Sequence, residues 1–417
     1  MPDYTYVIIG GGMAAAAAIT GIREVDDTGS IGVITAEPHS PYNRPPLSKW
    51  LWRGTPLSSI WRKANSSTVT FHHSCTAQAL DVQRKQVTDD QGATYHYGTL
   101  LLATGCTPRR LGVGGDEIIY YRTLDDYERV RRLTERGDRF VVIGAGFIGS
   151  EMAAALAMNG KRVTLIFPDD AIGSRMYPAD LAESLNAFFR AKGVEVLAGS
   201  KVIGCETHDG NTVLTAADVH SGRERPIIAN GVVAGIGVTP NVQLAQAAGL
   251  EVDDGIRVDA SLRTSQPDIY AAGDVASVFN PALNQWCRVE HADNANSTGG
   301  YAGVAMTGRT VSYEYLPFFY SDIFDIAYEA VGEVDARLDM VEEWKIPLKE
   351  GVVYYLRDGR VRGMLCWNIY GPLIAGRLRS CRRQWARSPA REWSRATPRR
   401  RGAWCPRVRH GDTRRDP

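Results

Sequence analysis

The first hydrophobic run of the chain, Tyr6-Val7-Ile8-Ile9, stops on Gly10-Gly11-Gly12, and an alanine-rich apolar stretch follows from Met13 to Ile19. β-Branched residues favour strand and alanine favours helix, so this pattern predicts a strand, a tight turn and a helix. The pattern returns at Arg139-Phe140-Val141-Val142-Ile143, breaks on Gly144-Ala145-Gly146, and continues as a helix through Met158 that stops near Asn159-Gly160. After each unit comes a second apolar run that ends in acid. Residues 31–35 lead to Glu37, and residues 162–167 lead to Asp169 and Asp170. Strand, helix, strand in this order predicts two parallel sheets of the α/β class.

The remaining pattern fills in around these units. Four prolines between Pro38 and Pro46 make a stiff entry to a helix expected near Ser48. Short strand patterns occupy residues 68–87. Thr99-Leu100-Leu101-Leu102-Ala103-Thr104-Gly105 reads as a buried strand closing on small residues. Pro108 and the glycines of 112–115 mark one crossover, and residues 232–241 mark a second. Between them a helix is expected over 179–192 and a strand over 193–197. Asp268-Ile269-Tyr270-Ala271-Ala272-Gly273-Asp274 repeats the motif of a strand ending on small residues.

Glycine at a strand-to-helix turn lets the backbone bend sharply and keeps Cβ atoms away from an approaching pyrophosphate. The free N–H groups of the next helix then face the phosphates. Gly10, Gly12 and Ala15 match G-x-G-x-x-G/A, and Gly144, Gly146 and Gly149 match it in full. One glycine triplet could be a plain turn. Two such units, with small-residue returns at 103–105 and 272–274, predict two dinucleotide sites. Glu37 is placed to take ribose hydroxyls, and Asp274 either bonds a cofactor's sugar-like chain or caps a helix. Acid at Asp169 and Asp170 suits a free 2′-hydroxyl and repels a 2′-phosphate, which favours NADH over NADPH; Arg175 lies nearby in sequence. The loop 38–50 is either a rigid surface loop or one that packs Arg44 and Lys49 against the cofactor.

Composition narrows the class. The 417 residues leave room for two or three domains, and no apolar run reaches membrane-spanning length. Seven scattered cysteines form no C-x-x-C and no metal spacing, so reduced thiols in a cytoplasmic setting are expected. The first strand starts so close to Met1 that no targeting peptide fits before it. Residues 377–417 hold fourteen arginines against three acids, a charge of +11, so the body carries −10 within a total of +1. This Arg-rich end reads as a disordered tail, such as a shifted reading frame leaves. The alternative is a basic arm for nucleic acid, but nothing patterned supports sequence-specific binding.

The chain resembles the FAD-dependent pyridine nucleotide oxidoreductases, most nearly the apoptosis-inducing-factor-like branch and next the reductases of ferredoxin and rubredoxin carriers. The residues that carry the likeness are Arg44-Pro45-Pro46-Leu47-Ser48-Lys49, Gly146-Phe147-Ile148-Gly149-Ser150-Glu151, Arg288-Val289-Glu290-His291, Phe318-Phe319-Tyr320-Ser321-Asp322, residues 328–332, Gly351-Val352-Val353-Tyr354-Tyr355-Leu356-Arg357-Asp358 and Cys366-Trp367-Asn368-Ile369. The resemblance covers roughly residues 4–376. It implies an FAD domain (1–112 and 239–316) split around an NAD domain (113–238), then a C-terminal domain over 317–376 and the tail. It further implies that Gly10, Gly12, Ala15, Glu37, Arg44, Arg109 and Asp274 hold FAD. Gly146, Phe147, Ile148, Glu151, Asp169, Gly237 and Glu290 would line the nicotinamide side. Lys49 would sit by flavin N5, paired with Glu151, and His291 by the isoalloxazine.

Against these stand plainer readings: an ordinary surface pair for Lys49 and Glu151, and a core or cap histidine for His291. Tyr320 stands where the family usually has Trp. Members that reduce disulfides carry cysteine near Tyr42-Asn43-Arg44-Pro45-Pro46, and here there is none; Cys106 reads as packing. The implied activity is NADH-dependent hydride transfer from nicotinamide C4 to flavin N5. The electron acceptor is open: an iron–sulfur carrier, or slow oxidation with redox-gated binding and dimerisation.

Overall fold

The computed structural model describes residues 2–64, 67–208 and 210–369. The expected Arg-rich tail and the end of the C-terminal domain lie outside the described residues.

The first apolar run forms the strand Asp3–Ile9, flanked on both sides by parallel strands, Ile31–Thr35 and Thr94–Leu102. Val69–His73 extends the sheet on one side, and Ile269–Ala271 joins Thr94–Leu102 in parallel on the other. Ile9 is level with Ile34 and with Leu102, so Gly10, Glu37 and Ala103 all emerge at one edge. Residues 6–9, 31–35 and 100–102 of these strands are buried, which is why those stretches read as continuous apolar runs and not as alternating ones.

The second unit repeats this plan. Arg139–Ile143 lies between Arg162–Ile166 and Gly231–Ala234, with Glu195–Leu197 and Ile118–Tyr120 outside them, all parallel. A three-stranded antiparallel sheet (Ser200–His208, Asn211–Asp218, Glu224–Ala229) is inserted before its last strand in sequence. The two expected crossovers turn out to be the two strands of one antiparallel ribbon, Cys106–Pro108 with Val238–Pro240. A five-stranded antiparallel sheet follows, spanning Phe318–Ile323 to Arg360–Trp367. Its inner face shares a core with the second parallel sheet and its helices, through Tyr328, Tyr355, Trp367, Tyr177 and Phe189.

The helix Met13–Arg23 packs backbone to backbone on Ala292–Met306. A Cβ on Gly299 would lie 2.3 Å from the Ala14 carbonyl oxygen, and one on Gly303 would lie 2.2 Å from that of Ala18. Small residues at four-residue spacing let the two axes come this close.

The helix expected near Ser48 is not there. Two 3₁₀ turns, Pro45–Ser48 and Trp50–Arg53, take its place. Pro45 and Pro46 lack N–H donors, and Lys49 between the turns is not helical (φ −128°, ψ −93°). The broken backbone aims Lys49 inward, which an exposed helix would not have done.

Candidate functional site

The carboxyl ends of the parallel strands of both sheets open on one cleft of about 1110 Å³, closed on another side by residues 317–320. At its first end the turn after Asp3–Ile9 is forced. Gly10 has φ +108°, and a Cβ there would lie 2.2 Å from the Ala103 carbonyl oxygen. Gly12 caps the helix without a side-chain hydrogen bond, and a Cβ on it would meet nothing within 4 Å. The open N–H groups of the first helical turn therefore face free space in the cleft. The second unit is built alike: Gly144 has φ +100°, Gly149 packs against its carbonyl, and Gly146 is open. Two uncapped helix ends on one cavity are the anion seats that a dinucleotide's pyrophosphate needs.

Between them lies a buried charge cluster. Lys49 Nζ is 2.5 Å from Glu151 Oε1, with the two side chains 7% and 2% exposed. Ser321 Oγ donates to the same oxygen and Ser48 Oγ to Oε2, each at 2.5 Å. The plain reading of a surface pair is thereby excluded. The Lys49 ammonium also stands 6.0 Å from the centre of the Tyr320 ring. His291 stacks on Phe319 at 4.5 Å, and Phe147 meets both edge-on.

At the first cradle Glu37 is held by Arg44 Nη2 and by the Tyr42 hydroxyl, the latter at 2.6 Å. Arg44 also donates to the Arg122 carbonyl at 2.9 Å, and Arg122 pairs with Asp274 at 2.7 Å. Asp274 is not a cap, because Ala272 holds that position. The loop 38–50 is therefore part of the cleft wall.

The sequence model for pyridine nucleotide-disulphide oxidoreductases matches residues 4–299. The chain belongs to this family. It is 32% identical to monodehydroascorbate reductase 3 of Arabidopsis thaliana, over 87% of the chain and 89% of that protein. It is also 32% identical to mitochondrial apoptosis-inducing factor 1 of Dictyostelium discoideum, over 90% of the chain and 78% of the relative. Among solved structures, the covalent putidaredoxin reductase–putidaredoxin complex superposes with a TM-score of 0.83 at 28% identity, covering 93% and 94% of the two chains. As a member of the family, the chain is an FAD-dependent NAD(P)H oxidoreductase, and the paired cradles fit FAD and a nicotinamide nucleotide.

Of the residues expected at the site, Gly10, Gly12, Glu37, Arg44, Lys49, Asp274, Gly146, Phe147, Ile148, Glu151, Gly237, Glu290, His291 and Tyr320 line the cleft of this oxidoreductase. Ala15, Gly144 and Gly149 do not; they shape the turns from behind. Arg109 is exposed and its Nε donates to the Val238 carbonyl at 3.2 Å, while its neighbour Arg110 lines the wall. Asp169 lies outside the lining, 3.6 Å from an exposed Arg175. Glu290 is engaged by Arg288 at 2.7 Å. Cys106 is buried, and burial pushes its thiol up to about 12, so it stays a packing thiol.

Arg122 and Tyr42 escaped the sequence reading. Neither sits in a glycine motif. The sign that could have found Arg122 is its place just before Thr123, which starts the helix Leu124–Arg136 with a capping box.

Burial lowers the His291 imidazole to about 4; the nearby Asp274 charge opposes this and Lys49 adds to it. The ring is therefore neutral at pH 7. A base depressed in the fold takes up more protons when unfolded, so its contribution is complete above about 6.5 and is lost as pH falls toward 4. His291→Gln should remove of the order of 3 kcal/mol of the stability lost between those limits. Urea titrations of the cofactor-free protein at several pH values check this, and parallel slopes for both proteins would refute it.

Proposed function

We propose that the chain is an NADH-dependent FAD oxidoreductase whose reacting centre lies at Lys49, Glu151 and His291. The observation that carries the reading is the buried Lys49–Glu151 pair, set between two uncapped helix ends in one cleft. When bound, FAD supplies the hydride chemistry between a nicotinamide and an acceptor.

The chain's own residues position and stabilise. Gly10, Gly12 and the N–H groups after them seat the FAD pyrophosphate, with Glu37 on a ribose and Arg44 closing that wall. Asp274, steadied by Arg122, faces the chain between phosphate and ring. Gly146, Phe147, Ile148, Gly237 and Glu290 form the nicotinamide side. Lys49 offers a fixed positive charge where the ring gains electron density, and Glu151 holds the ammonium in place. Neutral His291, stacked on Phe319, offers a flat wall, and Tyr320 covers the approach from the antiparallel sheet. The split arrangement of an FAD domain around an NAD domain accords with the two sheets and the single ribbon that joins them.

NADH is favoured because Asp169 and Asp170 stand at the end of the strand Arg162–Ile166, where the adenosine ribose of the nucleotide is expected. Cys75, Cys106, Cys205 and Cys287 carry free thiols, in keeping with a cytoplasmic setting. Among the described residues no helix is long and apolar enough to cross a membrane.

We favour the apoptosis-inducing-factor-like reading for the acceptor, with slow reoxidation and redox-gated binding, in which the chain pairs with a second copy. The fit to putidaredoxin reductase over nearly the whole chain supports the other reading, reduction of an iron–sulfur carrier. Anaerobic mixing with NADH or NADPH, followed by air, separates them. NADH should bleach the flavin band faster than NADPH and leave a lasting long-wavelength absorbance. Bleaching without that persistence points to the carrier. No bleaching with FAD bound overturns the nicotinamide assignment.

A further inference from the structure

Glu151 is the meeting point of three separate parts of the fold. It rises from the helix Phe147–Met158, whereas Lys49 and Ser48 come from the turns between the strands Ile31–Thr35 and Val69–His73 of the first sheet and Ser321 from the antiparallel sheet. We propose that Ser321 is a positioning residue for the Lys49–Glu151 pair, so that the antiparallel sheet sets the charge presented to the flavin. This rests on the reading that the flavin lies beside Lys49.

With Lys49 as an ammonium and Glu151 as a carboxylate, one proton arrangement fits these distances. Lys49 Nζ and Ser321 Oγ both lie 2.5 Å from Glu151 Oε1. An ammonium only donates and a carboxylate only accepts, so the Ser321 hydroxyl must donate. A buried carboxylate is tolerated when its oxygens are fully satisfied. Ser48 serves Oε2, and Oε1 is shared between Lys49 and Ser321. The hydroxyl dipole offsets part of the charge on the oxygen that Lys49 faces. Without it, Oε1 draws on the ammonium alone, and the field toward the cleft becomes more negative.

The strand also holds Ser321 in place. Ser321 is 1% exposed and faces inward with Phe319 and Ile323. It is level with Tyr328, which stacks on Trp367 at 5.2 Å, both buried. This backing fixes the strand, and with it the Ser321 backbone, beside Glu151. On the same strand Phe319 backs His291 and Tyr320 stands by Lys49, so one segment braces three groups of the site.

The test is a redox titration of FAD-loaded Ser321→Ala beside anaerobic stopped-flow reduction by NADH. The midpoint potential should move to more negative values, and flavin reduction should slow about tenfold, the size expected for one lost hydrogen bond to a charged group. KM for NADH should stay within about twofold, because the hydroxyl lies behind the pair and not in the nucleotide's path. Ser321→Thr, which keeps the donor, should restore potential and rate. If Ser321→Ala fails to retain FAD, Ser321→Cys, a poor donor, takes its place with the same expected shifts. Wild-type potential and rate in either FAD-loaded variant overturn the proposal. Lys49→Ala run alongside separates the two levels. A shift in that variant alone overturns only the Ser321 role, and a shift in neither overturns the placement of the flavin beside Lys49.

Discussion

Replacing Lys49 with alanine should slow flavin reduction by NADH about 10²–10³-fold, the usual cost of removing one preorganised charge from a reacting centre. Anaerobic stopped-flow traces of the bleaching flavin band report it directly. A second effect follows from burial. Glu151 is 3% exposed and Lys49 is its only ion-pair partner among the described residues. Truncating Lys49 leaves that charge unpaired, which costs about 3–5 kcal/mol of stability. The two effects can be separated. In Lys49→Met/Glu151→Gln the buried charge is gone, so urea stability should return most of the way while flavin reduction stays slow. Recovery of both together would falsify the electrostatic role and leave the pair as packing. Unchanged reduction in Lys49→Ala would remove Lys49 from the centre altogether.

How far this centre could be read beforehand depends on whether the information is local. The glycine units were legible because strand, turn and helix are specified within about fifteen residues by propensity and backbone freedom. The parallel sheets followed from them, and so did the edge where Gly10, Glu37 and Ala103 meet. Lys49 and Glu151 lie 102 positions apart, and no periodicity joins them. Only their places in two recognisable motifs suggested a pair, and its burial became visible only in the fold. The two crossovers were seen singly, but their pairing as a ribbon is a register between residues about 130 apart. The ribbon also explains the outcome at Arg109. Arg109 lies just past the strand Cys106–Pro108, and its backbone N–H bonds the Gly237 carbonyl at 2.9 Å while its Nε bonds that of Val238 at 3.2 Å, so a contact across about 130 residues holds it out of the lining that Arg110 joins. At Ser48 the expected helix breaks at Lys49, whose φ of −128° and ψ of −93° lie outside the helical region; the prolines before it fall where a helix leaves its N–H groups unpaired anyway, so they do not foretell the break.

Two glycines of the first cradle give opposite expected results when substituted, and the contrast tests the cofactor seat more sharply than either variant alone. Gly10→Ala should destabilise the protein even with no cofactor present. Its φ of +108° is closed to residues with a Cβ, and the added carbon would stand 2.2 Å from the Ala103 carbonyl oxygen. Backbone strain and overpacking together cost about 2–6 kcal/mol, a large part of an ordinary domain's stability. Gly12→Val meets no such obstacle. Gly12 has φ −86° and ψ −161°, open to any residue, and its Cβ would point into space with no atom within 4 Å. The unfavourable cap residue costs about 1 kcal/mol, so the cofactor-free protein should melt close to the wild type. In the proposed FAD seat, the space that valine fills is the space a pyrophosphate would need, in front of the open N–H groups of the helix Met13–Arg23. FAD retention should therefore fall by at least about a hundredfold, as expected when bulk displaces a phosphate from a helix end and its hydrogen bonds. Equilibrium dialysis with FAD and thermal melts of the cofactor-free proteins read the two quantities separately. If Gly12→Val keeps stoichiometric FAD, the pyrophosphate does not lie over this helix, and the assignment of the first cradle to FAD fails with it.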